Sequence, residues 1–121
     1  MLYFYPKDDT PGCTTEACDF RNDHSEITAA GAAVIGISPD TVQSHDRFKL
    51  KHSLPFVLLS DPDHQVAEAY GVWGEKKMFG RTYMGIIRST FVINPDGKIA
   101  QVFSKVRVKG HSRQVLAALT E

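Results

Sequence analysis

The chain has 121 residues, 42% of them hydrophobic, with 14 Lys plus Arg against 14 Asp plus Glu. That length fits one domain, residues 1–121, around a single core. The balanced charge, with no basic stripe or acidic tail, argues against nucleic acid or an anionic membrane surface as the main partner. No apolar run approaches the roughly 20 residues of a spanning helix. With no export signal in view and too few cysteines for a disulfide scaffold, the expected location is a reducing cytoplasm, where a Cys pair is more often catalytic or metal-binding than structural.

The apolar run Leu2-Tyr3-Phe4-Tyr5 reads as a buried strand. Pro6, Pro11 and Gly12 break the chain into a loop, and the polar first turn Thr14-Thr15-Glu16 then opens a helix. Apolar positions Ala17, Phe20, Ile27 and Ala30 carry that helix from Cys13 to about Ala30, with a stop at Gly31. Residues 32–38 form a second buried strand. Asp40 is the expected N-cap of a helix from Thr41 to about His52. Phe56–Ser60 is a third strand, and a short helix after Asp61-Pro62-Asp63 closes at Gly71. Val72 to Ile87 shows no clean period and reads as a long loop with weak strand character, of a length that is usually functional. Ser89–Ile93 and Ile99–Phe103 pair as a hairpin across Asn94-Pro95-Asp96-Gly97, and a last helix runs from about Gly110 to Leu119. Strand–helix alternation followed by a hairpin and helix implies an α/β layer fold, a mixed sheet with helices on both faces.

The chemistry concentrates at Cys13. It falls just past a strand end at a helix start, where unpaired backbone N–H groups favour a thiolate, the reactive form of cysteine. Cys18 lies five residues on. On a regular helix the two Cα atoms would be roughly 8–9 Å apart, and a disulfide needs about 7 Å or less. A permanent bridge is therefore not expected, whereas one formed during turnover with local unwinding is open. The histidines His24, His45, His52, His64 and His111 form no His-x-x-x-His pair, so no metal site is expected. No Gly-rich phosphate loop suggests a cofactor. Asp61, Asp63 and Asp96 read as caps and turn residues, and Trp73, Phe79 and Tyr83 as cover for the core. Arg88 stands immediately before an apolar strand, either on its solvent side or aimed at the sulfur.

Pro6-x-x-x-Thr10-x-x-Cys13 resembles the active-site motif of the peroxiredoxins. The longer string from Tyr3 to Cys18 is similar to the Q-type subfamily, also called bacterioferritin comigratory protein. The likeness continues through Gly71–Lys77, Arg81–Gly85, Arg88–Phe91 and Asp96–Lys98, nearly the whole chain. Family members carry about thirty further residues before the first strand. The resemblance implies a thioredoxin-like fold and a thiol-dependent peroxidase acting on hydrogen peroxide and organic hydroperoxides. Cys13 would be the peroxidatic cysteine and Cys18 the resolving one. Thr10 would hydrogen-bond thiolate and peroxide, Arg88 would stabilise the thiolate and polarise the peroxide, and Pro6 would shield the site. Thioredoxin would reduce the intrachain disulfide, and a monomer would suffice. The alternatives are a thiol–disulfide oxidoreductase of the same fold, against which the Cys-x-x-x-x-Cys spacing speaks, and a non-catalytic binding or scaffold domain of that fold, against which the two cysteines speak.

Overall fold

In the computed structural model, which describes residues 1–120, the strand at the start of the chain lies at the centre of the sheet. This strand, β1 (Leu2–Phe4), pairs in parallel with β2 (Ile35–Ser38), which pairs in parallel with the edge strand β3 (Val57–Ser60). On its other side β1 runs antiparallel to β6 (Ser89–Ile93), and β6 to the second edge, β7 (Ile99–Phe103). The result is a five-stranded mixed sheet of order β3-β2-β1-β6-β7.

Pleating sends alternate residues to opposite faces, which is why a central strand reads as an unbroken apolar run. Tyr3 and Tyr5 enter a cluster with Cys13, Ala17 and Phe20 of α1 (Pro11–Asn22), Ile27 of α2 (His24–Ala29), Phe48 of α3 (Val42–His52), and Val115 and Leu116 of α5 (His111–Leu119). Phe4 enters the other cluster, with Ile37, Phe91, Ala67 of α4 (Gln65–Ala69), Val72 and Ile86. Both faces are thus covered. Where β2 passes Tyr3, only glycine fits: a Cβ on Gly36 would come within 2.9 Å of the Tyr3 ring.

Four expectations need correction. The single helix over 13–30 is two helices, broken at Asp23, whose φ of −95° and ψ of 3° end α1. The break lets the Asp23 carboxylate accept from the Ser112 hydroxyl of α5 at 2.8 Å while Ile27 still enters the core. The N-cap of α3 is Thr41, whose hydroxyl accepts from Ser44 N at 3.1 Å. Asp40 is occupied instead by Asp8 N at 2.8 Å and the Ser38 hydroxyl at 2.6 Å.

The stretch Val72–Ile87 is not a loop but a regular hairpin, β4 (Trp73–Met78) and β5 (Arg81–Ile86). Its two-residue turn, Phe79-Gly80, has positive φ at both positions, 51° and 76°, which suits the twist of paired strands. Most of its side chains face solvent, so no alternation marks it in the sequence. Phe79 is 97% exposed and Tyr83 41% exposed, so neither covers the core. Trp73 does pack on the second cluster and stacks on His64 at 3.8 Å.

Candidate active site

The Tyr5 N–H extends the β1 ladder onto Ile37 O at 3.1 Å, and Pro6, which has no N–H, follows it at the strand end. The chain turns through residues 7–10 and enters α1 with Pro11 in its first turn, where a missing N–H costs nothing. Thr10 is the N-cap, with Thr14 N donating to its carbonyl at 2.8 Å. Its hydroxyl makes no cap bond and donates to Lys7 O at 2.8 Å. Cys13 therefore sits in the uncapped first turn, 2% exposed, its sulfur packed against the core.

Arg88, 75 residues away, stands in the short link between β5 and β6, and its Nη2 donates to Cys13 Sγ at 3.2 Å. Its Nη1 donates to Glu16 Oε1 at 2.6 Å. One guanidinium fork thus spans the thiol and a carboxyl a turn further along the same helix. Its backbone carbonyl accepts from Val106 N at 2.9 Å, which ties the 104–110 loop to the site. Of the two readings open for Arg88 in the sequence, the fold selects the one aimed at the sulfur.

Glu16 is the member that sequence reasoning missed. It is 2% exposed, and its Oε2 has no partner. Burial pushes its carboxyl up to about 7, against the opposing pull of Arg88. A signal existed: 13, 16, 17 and 20 follow the i, i+3, i+4, i+7 spacing of one helix face, so Glu16 falls among core residues. Lys76 of β4 adds a second cation. Partial burial, and then repulsion from Arg88, hold its ammonium below the ordinary lysine range. An open cleft of about 370 Å³ beside Arg88 is lined by Lys76, Ile87, Lys105 and Val106. A larger hollow of about 590 Å³ between α2 and α5 holds no nucleophile, so hollow size does not locate the chemistry here.

A second polar cluster anchors the loop from behind. Asp8 accepts from Tyr5 OH at 2.6 Å, Ser44 Oγ at 2.8 Å and His45 Nδ1 at 2.7 Å. His45 Nε2 faces Leu59 O at 2.9 Å. Carboxylate and carbonyl oxygens only accept, so both ring nitrogens carry protons and His45 is an imidazolium. Burial alone would push that ring down; the bond and charge of Asp8 outweigh it and raise the ring above its usual range. Asp8, Asp40 and His45 lie close enough to share a cation. A doubly protonated ring has no lone pair for a metal, so the cluster reads as an ion pair.

Of the residues singled out in the sequence, Cys13 and Arg88 come together. Thr10 caps the same turn, and half-buried Pro6 closes the strand beneath it. Cys18 lies half-buried further along α1, beside His52 Nδ1 at 3.9 Å, and both cysteines are free. A chemically competent whole follows from this arrangement: a sulfur nucleophile at a helix start, a fixed cation on it, and hydrogen-bond donors already in place where charge would develop.

Comparison with known proteins agrees with that geometry. The model of the AhpC/TSA family matches residues 1–102. Peroxiredoxin Bcp of Bacillus subtilis (strain 168) is 53% identical over 121 residues, covering 100% of this chain and 77% of the relative. Peroxiredoxin Bcp of Escherichia coli (strain K12) is 50% identical over 121 residues, covering 100% and 78%. Among solved structures, the bacterioferritin comigratory protein of Xanthomonas campestris, described for its alkyl peroxide reduction activity, superposes with a TM-score of 0.93 at 48% identity, over 98% of this chain and 76% of that one. The chain belongs to the AhpC/TSA family, as a peroxiredoxin of the Q-type, or bacterioferritin comigratory protein, subfamily with a thioredoxin-like fold.

Proposed function

We infer that this chain, a peroxidase by family, reduces hydrogen peroxide and alkyl hydroperoxides with Cys13 as the peroxidatic residue and residues 1–121 acting as one domain. The observation that carries the reading is the Arg88 fork on the sulfur, at 3.2 Å from Nη2 to Cys13 Sγ in the first turn of α1. In the reaction the thiolate electron pair attacks one peroxide oxygen and the O–O bond breaks. The leaving oxygen departs with the bonding pair and takes up a proton as water or alcohol, leaving Cys13 as a sulfenic acid. Arg88 polarises the peroxide and stabilises the charge that develops on it. Glu16 holds the other arm of the guanidinium and so keeps Nη2 on the sulfur. Thr10 turns its hydroxyl from the Lys7 carbonyl to the bound peroxide, and Pro6 excludes water.

Cys18 then attacks the sulfenic sulfur to form an intrachain disulfide, with water leaving. Both residues lie on α1, which is continuous from Pro11 to Asn22. Their Cα atoms are roughly 8–9 Å apart on such a helix, so the first turns must unwind for the bond to close. A catalytic, readily reduced bridge follows. An external dithiol of the thioredoxin type returns both thiols; a monomer in the cytoplasm suffices, since both sulfurs are on one chain. Among the described residues no helix is long and apolar enough to cross a membrane. The test is peroxide consumption coupled to thioredoxin and its reductase. The wild type should turn over and Cys13→Ser should not. Disulfide reduction without peroxide consumption would make the protein a thiol–disulfide oxidoreductase instead.

A further inference from the structure

The surroundings of Cys18 contain a second device, distinct from the Arg88 site. His52, the last residue of α3, turns its Nδ1 to Cys18 Sγ at 3.9 Å, and its Nε2 lies 3.4 Å from Asp9 Oδ1. An ionised carboxylate only accepts, so Nε2 carries the proton and Nδ1 presents its lone pair to the thiol. The arrangement is held from several sides. The Asp9 carboxylate accepts from Lys51 Nζ at 2.9 Å, and this bond, followed by that to His52, keeps it below the usual carboxylate range. The His52 carbonyl accepts from Arg21 Nη1 at 2.8 Å, one helical turn beyond Cys18, which pins the end of α3 to α1. The Phe48 ring meets the imidazole edge to face at 5.2 Å. The charged groups around the ring are Asp9 from the loop, Lys51 from α3 and Arg21 from α1, with Arg47 lining the hollow that Asp9 and Lys51 share.

We propose that His52 is the base that activates Cys18, with Asp9 as the residue that fixes its tautomer and orientation. The proposal rests on the reading of Cys18 as the resolving cysteine. While α1 is still folded, the Cys18 S–H proton passes to His52 Nδ1. The resulting thiolate is ready when the first turns of α1 unwind and bring the Cys13 sulfenic acid to it. Its electron pair forms the S–S bond, the S–O bond breaks, and the leaving hydroxide takes the proton from the imidazolium and departs as water. No oxidant beyond the peroxide already consumed is needed. The two cysteines are thus activated differently: Cys13 by the Arg88 cation held on its sulfur, Cys18 by the lone pair of a neighbouring imidazole.

The test follows one turnover. Reduced protein is mixed with one equivalent of hydrogen peroxide and quenched in acid at intervals. Mass spectrometry then gives the rates of Cys13 sulfenic acid and of disulfide formation, read as the disulfide rate divided by the sulfenic-acid rate, from pH 5 to 9. In the wild type that ratio should fall towards pH 5. His52→Gln keeps a donor for Asp9 but has no base. It should lower the ratio by about 10²-fold or more at pH 7, the low end of what a positioned general base contributes, and should abolish the acid limb. Asp9→Asn, on the exposed loop, should lower it by only about threefold. A purely structural clamp would slow both steps together and leave the pH profile of the ratio unchanged, and that result would overturn the proposal.

Alkylation of Cys18 by iodoacetamide in a Cys13→Ser background separates the two readings, since it needs no disulfide. An imidazole-shaped inflection that His52→Gln removes supports the base. Identical profiles with and without His52 overturn it. If wild-type protein forms no intrachain disulfide, the resolving assignment of Cys18 fails first and the proposal falls with it.

Discussion

Two polar clusters flank the start of α1, and they are built to opposite standards. Behind the loop, every hydrogen-bonding atom of the Asp8–His45 pair is used: Tyr5, Ser44 and His45 saturate the carboxylate, and Asp8 and Leu59 O take both ring protons. In front, Glu16 is as deeply buried but keeps an unpartnered oxygen, and its carboxyl is pushed up to about 7. The contrast teaches where this fold tolerates strain. The rear cluster fixes the loop; the front cluster gives up stability so that one arm of Arg88 stays on the sulfur rather than being saturated by carboxylate.

The largest expected effect breaks the rear cluster. Asp8→Ala leaves a buried imidazolium without its partner and should cost about 3–5 kcal/mol, measured by chemical denaturation at pH 6. The pH dependence has a definite sign. His45 is raised above its unfolded value, so its contribution is full below about 6.5 and is lost as pH rises through the folded pKa. Asp8 is lowered: burial pushes it up, but the bonds from His45, Tyr5 and Ser44 outweigh that. Its contribution is present above about 3.8 and is lost as pH falls through the folded value. Both contributions should be absent from the Asp8→Ala profile, and a variant as stable as wild type would mean that the rear cluster anchors nothing.

Glu16→Gln sharpens the contrast from the other side. A carboxyl raised from 4.5 to about 7 binds protons in the folded state that it releases when unfolded. Its ionisation therefore lowers stability as pH rises between those values. The stability of the variant relative to wild type should grow by about 3 kcal/mol between pH 4 and pH 8, from 1.36 kcal/mol per pKa unit. Peroxide reduction should slow at the same time, because Nη1 loses its anionic anchor. A variant that loses stability at pH 8 would place Glu16 with the rear cluster in kind.

Arg88→Ala should slow peroxide reduction by about 10²-fold or more, equivalent to roughly 2.7 kcal/mol, the cost of one lost oxyanion donor. Arg88→Lys should also be impaired, since one ammonium cannot reach both Cys13 and Glu16 as a planar fork does. Near-normal rates in both, with unchanged circular dichroism, would remove the front cluster from catalysis.

How much of this could be read from the residues follows the same division between local and distant. Ser89–Ile93, Ile99–Phe103 and the last helix are legible because apolar runs are punctuated by Asn94-Pro95-Asp96-Gly97 and Gly110. The β4–β5 hairpin is not, because its faces are mostly wet and its turn uses Phe79 where Asn or Asp would announce it. Cys13 stands out through its loop and helix start. Glu16 falls on the apolar face of α1, yet with the helix start read at Cys13 it passes for a first-turn dipole partner; α1 begins at Pro11, which puts Glu16 in the second turn. His52 and Asp9 are 43 residues apart, and nothing local marks either; only the packing of α3 against α1 brings them to Cys18.

The measurement closest to the central claim identifies the sulfur that peroxide oxidises first. Cys18→Ser protein, given one equivalent of hydrogen peroxide and a sulfenic-acid trap, should carry the trap on Cys13 and nowhere else. Wild-type protein treated alike should show an intrachain Cys13–Cys18 disulfide by mass spectrometry. A trapped adduct absent from Cys13, or a wild-type protein whose first oxidation falls on Cys18, would contradict the account.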